Sequence, residues 1–97
     1  MRRVQKIELI GDNKIICFFK NGEKRIIDLD VVIKDKHGKL ITSDHSKYLE
    51  ASLGKFGQIM WANLAHMRDD NGKIIECDYD MSAEFVYQNS TSLLPEL

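Results

Sequence analysis

The chain has 97 residues, of which 43% are hydrophobic and 30% are charged. This length supports one hydrophobic core and excludes two independent ones, and the composition is that of a folded globular domain. Fourteen basic residues against fifteen acidic residues give a formal net charge of −1. Because contacts to phosphates use a basic excess, this balance disfavours nucleic-acid binding by this chain alone.

The first residues lead directly into an alternating segment, without the apolar stretch of a secretory signal. No apolar run approaches the roughly 20 residues of a membrane-spanning helix. The two cysteines, Cys17 and Cys77, both lie in apolar runs. We therefore expect a cytoplasmic protein with reduced cysteines and no membrane segment.

Three β-type segments near the N-terminus predict an antiparallel meander. The strongest signal is the turn Asn21-Gly22, because both residues tolerate the positive φ angles of a tight hairpin. The run from Ile15 to Phe19 is apolar at every position, which predicts a central strand with cover on both faces. The predicted strands are 4–10, 14–20 and 24–29.

The next stretch predicts short helices. Residues 30–36 are too few to separate a helical turn from a strand, and we predict a helical turn. Asp44 offers N-cap chemistry for an amphipathic helix over 44–53, with Gly54 just beyond its end. We expect this helix to cover one face of the sheet, and either the C-terminal helix or a second subunit to cover the other.

Residues 56–67 fit either a helix or a strand, and their length alone favours a helix. The turn Asn71-Gly72 that follows favours two flanking strands. We therefore predict a second hairpin and, after a cap at Asp80 or Ser82, a final short helix. These elements are strands near 58–67 and 73–77 and a helix through 83–87.

The predicted fold class is α+β. Its order is an N-terminal three-stranded antiparallel meander, a short helix, a second β-hairpin and a short C-terminal helix. We assign residues 1–88 to a single α+β domain. Residues 89–97 form a tail that is polar and then apolar, and we expect it to be mobile or ordered only against a partner.

The order of turns and core positions carries a resemblance over nearly the whole chain. The residues concerned are Phe18-Phe19, Asn21-Gly22-Glu23, Ile27-Asp28-Leu29, Leu49, Phe56, Ile59, Gly72-Lys73-Ile74-Ile75, Asp80-Met81 and Glu84-Phe85-Val86-Tyr87. In this order the chain resembles the bacterial domain-of-unknown-function family 2442. The resemblance implies a small α+β domain, encoded alone or fused ahead of a helix-turn-helix segment, and sometimes beside a small toxin-like partner gene. Nothing in this chain looks like the helix-turn-helix part.

The chain departs from that family in two places. Where the family tends to carry a tryptophan after the glycine turn, this chain has Glu76, and Trp61 lies on the preceding segment instead. The connection over residues 61–71 is also longer than is usual in the family. If the family's tryptophan region forms a binding surface, that surface is altered here.

The cysteines and histidines do not show the spacing of a metal site. No pair has the C-x-x-C or H-x-x-x-H pattern that brings donor atoms together on one element. Cysteines inside apolar strands are usually buried, which favours a structural role over a Cys–His nucleophile pair. We predict no metal and no cofactor. The residues considered are Cys17, Cys77, His37, His45 and His66.

Two pairs of aspartates define the enzymatic alternative. Residues two apart on an extended segment project to one side, and paired carboxylates can do acid–base chemistry or bind a hard cation. Together with His66, they suggest a small-ligand or metal-dependent enzyme. Without an accompanying catalytic motif, capping of helices and protection of strand edges is the favoured interpretation. The pairs are Asp28 with Asp30 and Asp78 with Asp80.

We expect a non-enzymatic protein-interaction module of the partner-binding or antitoxin-like kind. Trp61 and Tyr79 lie near turns and polar residues, where a half-exposed aromatic side chain can anchor an interface. Ile7 and Leu9 lie on the edge strand 4–10, whose free edge can add a strand from a protein partner or a second copy. Two alternatives stay open, the enzyme described above and an accessory role in transcriptional regulation suggested by the family's fusions.

Overall fold

The computed structural model describes residues 2–93. This part of the chain contains two antiparallel sheets and four short helices, which confirms the predicted α+β class. The strands are β1 (Val4–Gly11), β2 (Lys14–Phe19), β3 (Lys24–Asp28), β4 (Ser52–Leu53), β5 (Ile59–Arg68), β6 (Ile74–Met81) and β7 (Thr91–Ser92). The helices are α1 (Leu29–Val32), α2 (Lys39–Thr42), α3 (His45–Tyr48) and α4 (Ala83–Gln88).

The first sheet contains the predicted meander and has the strand order β1-β2-β3-β7. The sequence suggested that the apolar run of β2 has cover on both faces, whereas the structure shows cover on one face. Its residues alternate between buried positions (Ile15, Cys17, Phe19) and half-buried ones (Ile16, Phe18). The predicted second cover is therefore absent from the described chain.

Both predicted covering helices pack on the same, inner face of this sheet. Tyr48 of α3 and Val86 of α4 are fully buried in one core cluster with the inner side chains of β2. The Tyr48 hydroxyl donates to the carbonyl oxygen of Lys14 at 2.6 Å and accepts from the N–H of Gly11 at 3.0 Å. These bonds fix α3 to the turn between β1 and β2.

The helix predicted over 44–53 is wrong in its extent. Asp44 caps it as expected, since its carboxylate accepts from the N–H of Ser46 at 3.0 Å, but α3 ends at Tyr48. The following residues, Ser52–Leu53, instead form β4 and pair with the start of β5. Pairing with a distant strand overrides the local helical pattern. Helix α2 was not predicted.

The second sheet has the order β4-β5-β6 and contains the predicted second hairpin. The strand interpretation of residues 59–67 is confirmed, and β6 continues to Met81, past its predicted end at residue 77. The final helix α4 begins after Ser82, whose hydroxyl accepts from the N–H of Phe85 at 3.1 Å.

Residues 91–92 of the predicted tail form β7, the last strand of the first sheet. β7 pairs with β3, and the N–H of Leu93 donates to the carbonyl oxygen of Lys24 at 2.8 Å. The Arg25 guanidinium donates to the hydroxyl of Ser90 at 2.8 Å. The expectation that this part of the tail orders only against a partner is therefore wrong, and its remaining residues, 94–97, lie outside the described part of the chain.

Candidate interaction surface

Beyond Trp61 and Tyr79, strands β5 and β6 continue as a two-stranded ribbon, residues 62–78, which we call the arm. Within the described chain, every hydrogen bond and ion pair made by residues 65–77 has both partners in the arm. The molecule measures 58 × 27 × 19 Å. Its radius of gyration of 14.4 Å exceeds the value of about 12.5 Å for a compact chain of this length. A projecting ribbon accounts for this elongation.

A bulge in β5 marks the start of the arm. Residues 62–64 have only Asp78 opposite them on β6, which locally bends and twists the ribbon. Asn63 adopts a φ of 54°, which asparagine tolerates better than most residues, and its N–H donates to the Asp78 carboxylate at 2.9 Å. Leu64 is turned into the core, where it is only 5% exposed.

The far end of the arm is closed by the predicted turn over residues 69–73. The Asp69 carboxylate accepts from the N–H groups of Asn71 and Lys73, each at 2.9 Å. Gly72 has a φ of 77°, a conformation that glycine adopts without strain. The turn is therefore stabilised by its own residues.

One face of the arm is apolar. Ala65 pairs with Cys77 and Met67 pairs with Ile75, and these side chains share a face because strand residues alternate. Met67 is 50% exposed and Ile75 is 46% exposed. On β6 the same face carries Tyr79, which packs against the core. We call Ala65, Met67, Ile75 and Cys77 the apolar face of the arm. This face continues the core-facing side of the second sheet beyond the body of the molecule.

The opposite face of the arm carries the charged side chains of its strands. The His66 imidazole lies opposite Glu76, with 3.6 Å between Nε2 and Oε1. Arg68 lies opposite Ile74, which is 57% exposed. Asp78 has the same parity on β6 and faces the same way. The neighbours Ile74 and Ile75 are therefore both exposed, on opposite faces.

A loop packs against the base of the arm on the side of Tyr79. The Tyr79 hydroxyl donates to Oδ1 of Asp35 at 2.7 Å, and the N–H of Gly38 donates to the same carboxylate at 2.9 Å. The bond from Tyr79, followed by that from Gly38, lowers the pKa of Asp35. Burial, followed by the bond to Asp35, raises the pKa of Tyr79. We call residues 34–39 the basic loop, since they include three lysines and one aspartate.

The structure places the predicted interface residues differently from what the sequence suggested. Trp61 is fully buried, with its indole N–H donating to the carbonyl oxygen of Tyr48 at 3.4 Å, so it lacks the exposure of an interface anchor. Tyr79 is half-buried, as expected. Ile7 and Leu9 are also half-buried and pack against the core, so the free edge of β1 does not present their side chains.

The predicted aspartates act locally. The Asp28 carboxylate caps α1 by accepting from the N–H of Asp30 at 3.1 Å. Asp30 accepts from the Asn13 amide at 3.1 Å, and Asp78 accepts from the bulge in β5. Asp30 and Asp80 line two different surface grooves. Across residues 2–93, no three His, Cys, Asp or Glu side chains are arranged to hold a metal ion.

The two cysteines are free thiols in different surroundings. Cys17 is fully buried, and burial raises its pKa to about 12, so it stays protonated and is a poor nucleophile at neutral pH. Cys77 is half-buried on the apolar face of the arm. Its accessibility makes Cys77 the thiol to use as a chemical probe of that face.

Comparison of the chain with protein-family models, with curated proteins and with solved structures gives no match. Among the described residues, no helix is long and apolar enough to cross a membrane.

Proposed function

We propose that this chain is a non-enzymatic protein-interaction module and that the arm is its binding element. The observation that carries the proposal is the apolar face of the arm, where Met67 and Ile75 are about half exposed. A two-stranded ribbon is only marginally stable alone in water. A partner that packs on this face removes apolar surface from water and stabilises the arm at the same time.

The class of function is the one expected from the sequence, but the binding surface is a different one. Met67 and Ile75 take the place of Trp61, which is buried, while Tyr79 remains at the base of the arm. A partner-binding or antitoxin-like module also fits the resemblance to domain-of-unknown-function family 2442, which we retain as a proposal. Two unpaired thiols fit the reducing cytoplasm, which is the location we propose.

The test compares two neighbouring isoleucines in native affinity purification from the host's own lysate. Ile75→Lys places a charge on the apolar face, whereas Ile74→Lys places the same charge on the opposite face. We expect wild type and Ile74→Lys to retain the same protein, and a second copy of this chain counts as such a protein. We expect Ile75→Lys to lose that protein. Circular dichroism checks that all three are folded. Equal retention by both variants, or a wild type that retains no protein and does not self-associate, would overturn the proposal.

A further inference from the structure

We propose that the arm binds the arm of a second copy of this chain, with the two apolar faces packed together and the two arms antiparallel across a two-fold axis. This inference rests on the proposed function and names its partner. It also assigns a geometry, in which the tip of each arm lies at the base of the other.

The charge pattern of the arm favours this face for a symmetric contact. A two-fold axis brings equivalent surfaces together, so a patch with charges of one sign would meet the same charges on the second copy. A suitable patch therefore lacks such charges. The apolar face carries no charged side chain from Ala65 to Met67 or from Ile75 to Cys77. Pairing the β6 edges of two copies would instead bring a row of acids against its own equivalent, and like charges across strands are destabilising. That row is Glu76, Asp78 and Asp80.

The tip of the arm and the basic loop that packs at its base have opposite charge. The turn at the tip, residues 69–73, contains two aspartates and one lysine. The basic loop at the base contains three lysines and one aspartate, and it lies on the side of Tyr79, which is the side of the apolar face. None of Lys34, Lys36 and Lys39 makes an ion pair within residues 2–93. An antiparallel arrangement places each acidic tip near the partner's basic loop, twice per dimer.

The dimensions of the arm determine how strong the contact can be. From residue 74 to residue 79 a strand covers about 17 Å, and two adjacent strands are about 10 Å wide. This footprint is far smaller than the roughly 800 Å² per partner of a standard stable interface. We therefore expect a weak, reversible dimer that forms as concentration rises.

Sedimentation equilibrium from micromolar to millimolar concentration tests the inference directly. We expect wild type and Ile74→Lys to shift from monomer to dimer over the same range. Ile75→Lys should weaken association by at least about tenfold, because it buries an unpaired charge. A wild type that stays monomeric at millimolar concentration overturns the inference, as do equal effects of the two substitutions or growth beyond the dimer.

A charge exchange tests the antiparallel orientation. Asp70→Lys and Lys36→Glu should each weaken the dimer several-fold, and the double variant should recover much of the wild-type affinity, since tip and base are again opposite in sign. Additive losses in the double variant would overturn the orientation. A short bifunctional thiol reagent should also join two Cys77 residues in the wild-type dimer and leave Cys77→Ser unlinked.

The outcomes separate this inference from the proposed function. If wild type retains a different protein through Ile75 but remains monomeric, the second copy is the wrong partner and the interaction module stands. If wild type neither retains a protein nor dimerises, both fail. If it dimerises with equal sensitivity to Ile74→Lys and Ile75→Lys, self-association occurs through another surface and the assignment of the arm fails.

Discussion

The first sheet and the arm are both antiparallel and each contains an Asn-Gly turn, yet the first sheet packs on the core along its inner face, whereas the arm reaches the core at its base. The inner face of the first sheet packs on the core through Ile15, Cys17 and Ile27. Tyr87 of α4 also packs against this sheet, with its ring centre 5.3 Å from that of Phe19 in β2. Among the described residues, the arm is anchored in the core by Leu64 at its base, and beyond that point it is held by its cross-strand pairs and its turn. Similar strand signals thus produce a supported sheet in one place and a self-supported ribbon in the other.

The uncovered faces of these two regions also differ. On the first sheet, the ammonium groups of Lys6 and Lys24 lie 5.1 and 5.4 Å from the centre of the Phe18 ring, and their stems shield apolar surface. On the arm, Met67 and Ile75 pair with each other and remain about half exposed. The apolar surface around Phe18 is therefore shielded, whereas Met67 and Ile75 of the arm are accessible to a partner.

The largest expected effect is a difference in the free energy of unfolding between a substitution in the core and one in the arm. Trp61→Ala removes a fully buried side chain, and we expect a loss of about 3–5 kcal/mol in the free energy of unfolding. Ile75→Ala should change it by less than about 0.5 kcal/mol, measured at a concentration where the chain is monomeric. Urea unfolding followed by circular dichroism measures both. A loss at Ile75 comparable to that at Trp61 would mean that the arm packs against the body in solution.

Hydrogen exchange measures the same contrast along the backbone. Amides of β2 should open only with global unfolding, whereas those of the arm should open locally, at a free energy lower by about 2 kcal/mol or more. If arms pair between copies, the protection of residues 65–77 should rise with protein concentration while that of β2 stays constant. Arm amides as protected as those of β2 in the dilute monomer would contradict the comparison.

The sequence predicted those features of the fold that depend on residues close together in the chain. The turns Asn21-Gly22 and Asn71-Gly72 specify hairpins because their conformational preference is local. The burial of Trp61 was missed because it depends on contacts with residues distant in the chain, including Tyr48, whose carbonyl oxygen accepts from the indole N–H. The alternation in the β6 sequence allows an apolar face on the arm. It does not determine which residues form that face, because a shift of one residue in strand pairing exchanges the two faces.

A middle-sized effect is expected where the arm meets the body. Tyr79→Phe removes the hydroxyl that donates to Asp35 and should cost about 1 kcal/mol, without disturbing the ring against the core. Thermal unfolding of the two proteins near neutral pH measures the difference. An unchanged stability would mean that water replaces this hydrogen bond without loss.

The same contact has a defined pH dependence. The pKa of Asp35 is lowered in the folded protein from its ordinary value of 3.8, so its contribution is complete above that value and is lost as the pH falls through the lowered pKa. The pKa of Tyr79 is raised from 10.0, so its contribution is complete below that pH and is lost as the pH rises through the raised pKa. Tyr79→Phe should flatten both ends of the profile of stability against pH. Unchanged ends would assign the dependence to other groups.

The smallest effect concerns the shielded face of the first sheet. Replacing Lys6 and Lys24 by alanine removes the cations over Phe18 and should cost about 0.5 kcal/mol each or less, because both sites are exposed to solvent. Dimerisation, in contrast, should stay at the wild-type level, since the arm and the basic loop are unchanged. Sedimentation equilibrium and urea unfolding of the double variant measure both quantities. Dimerisation that strengthens once the lysines are gone would show that they had been keeping a second apolar surface apart, and the arm would then not be the sole site of association.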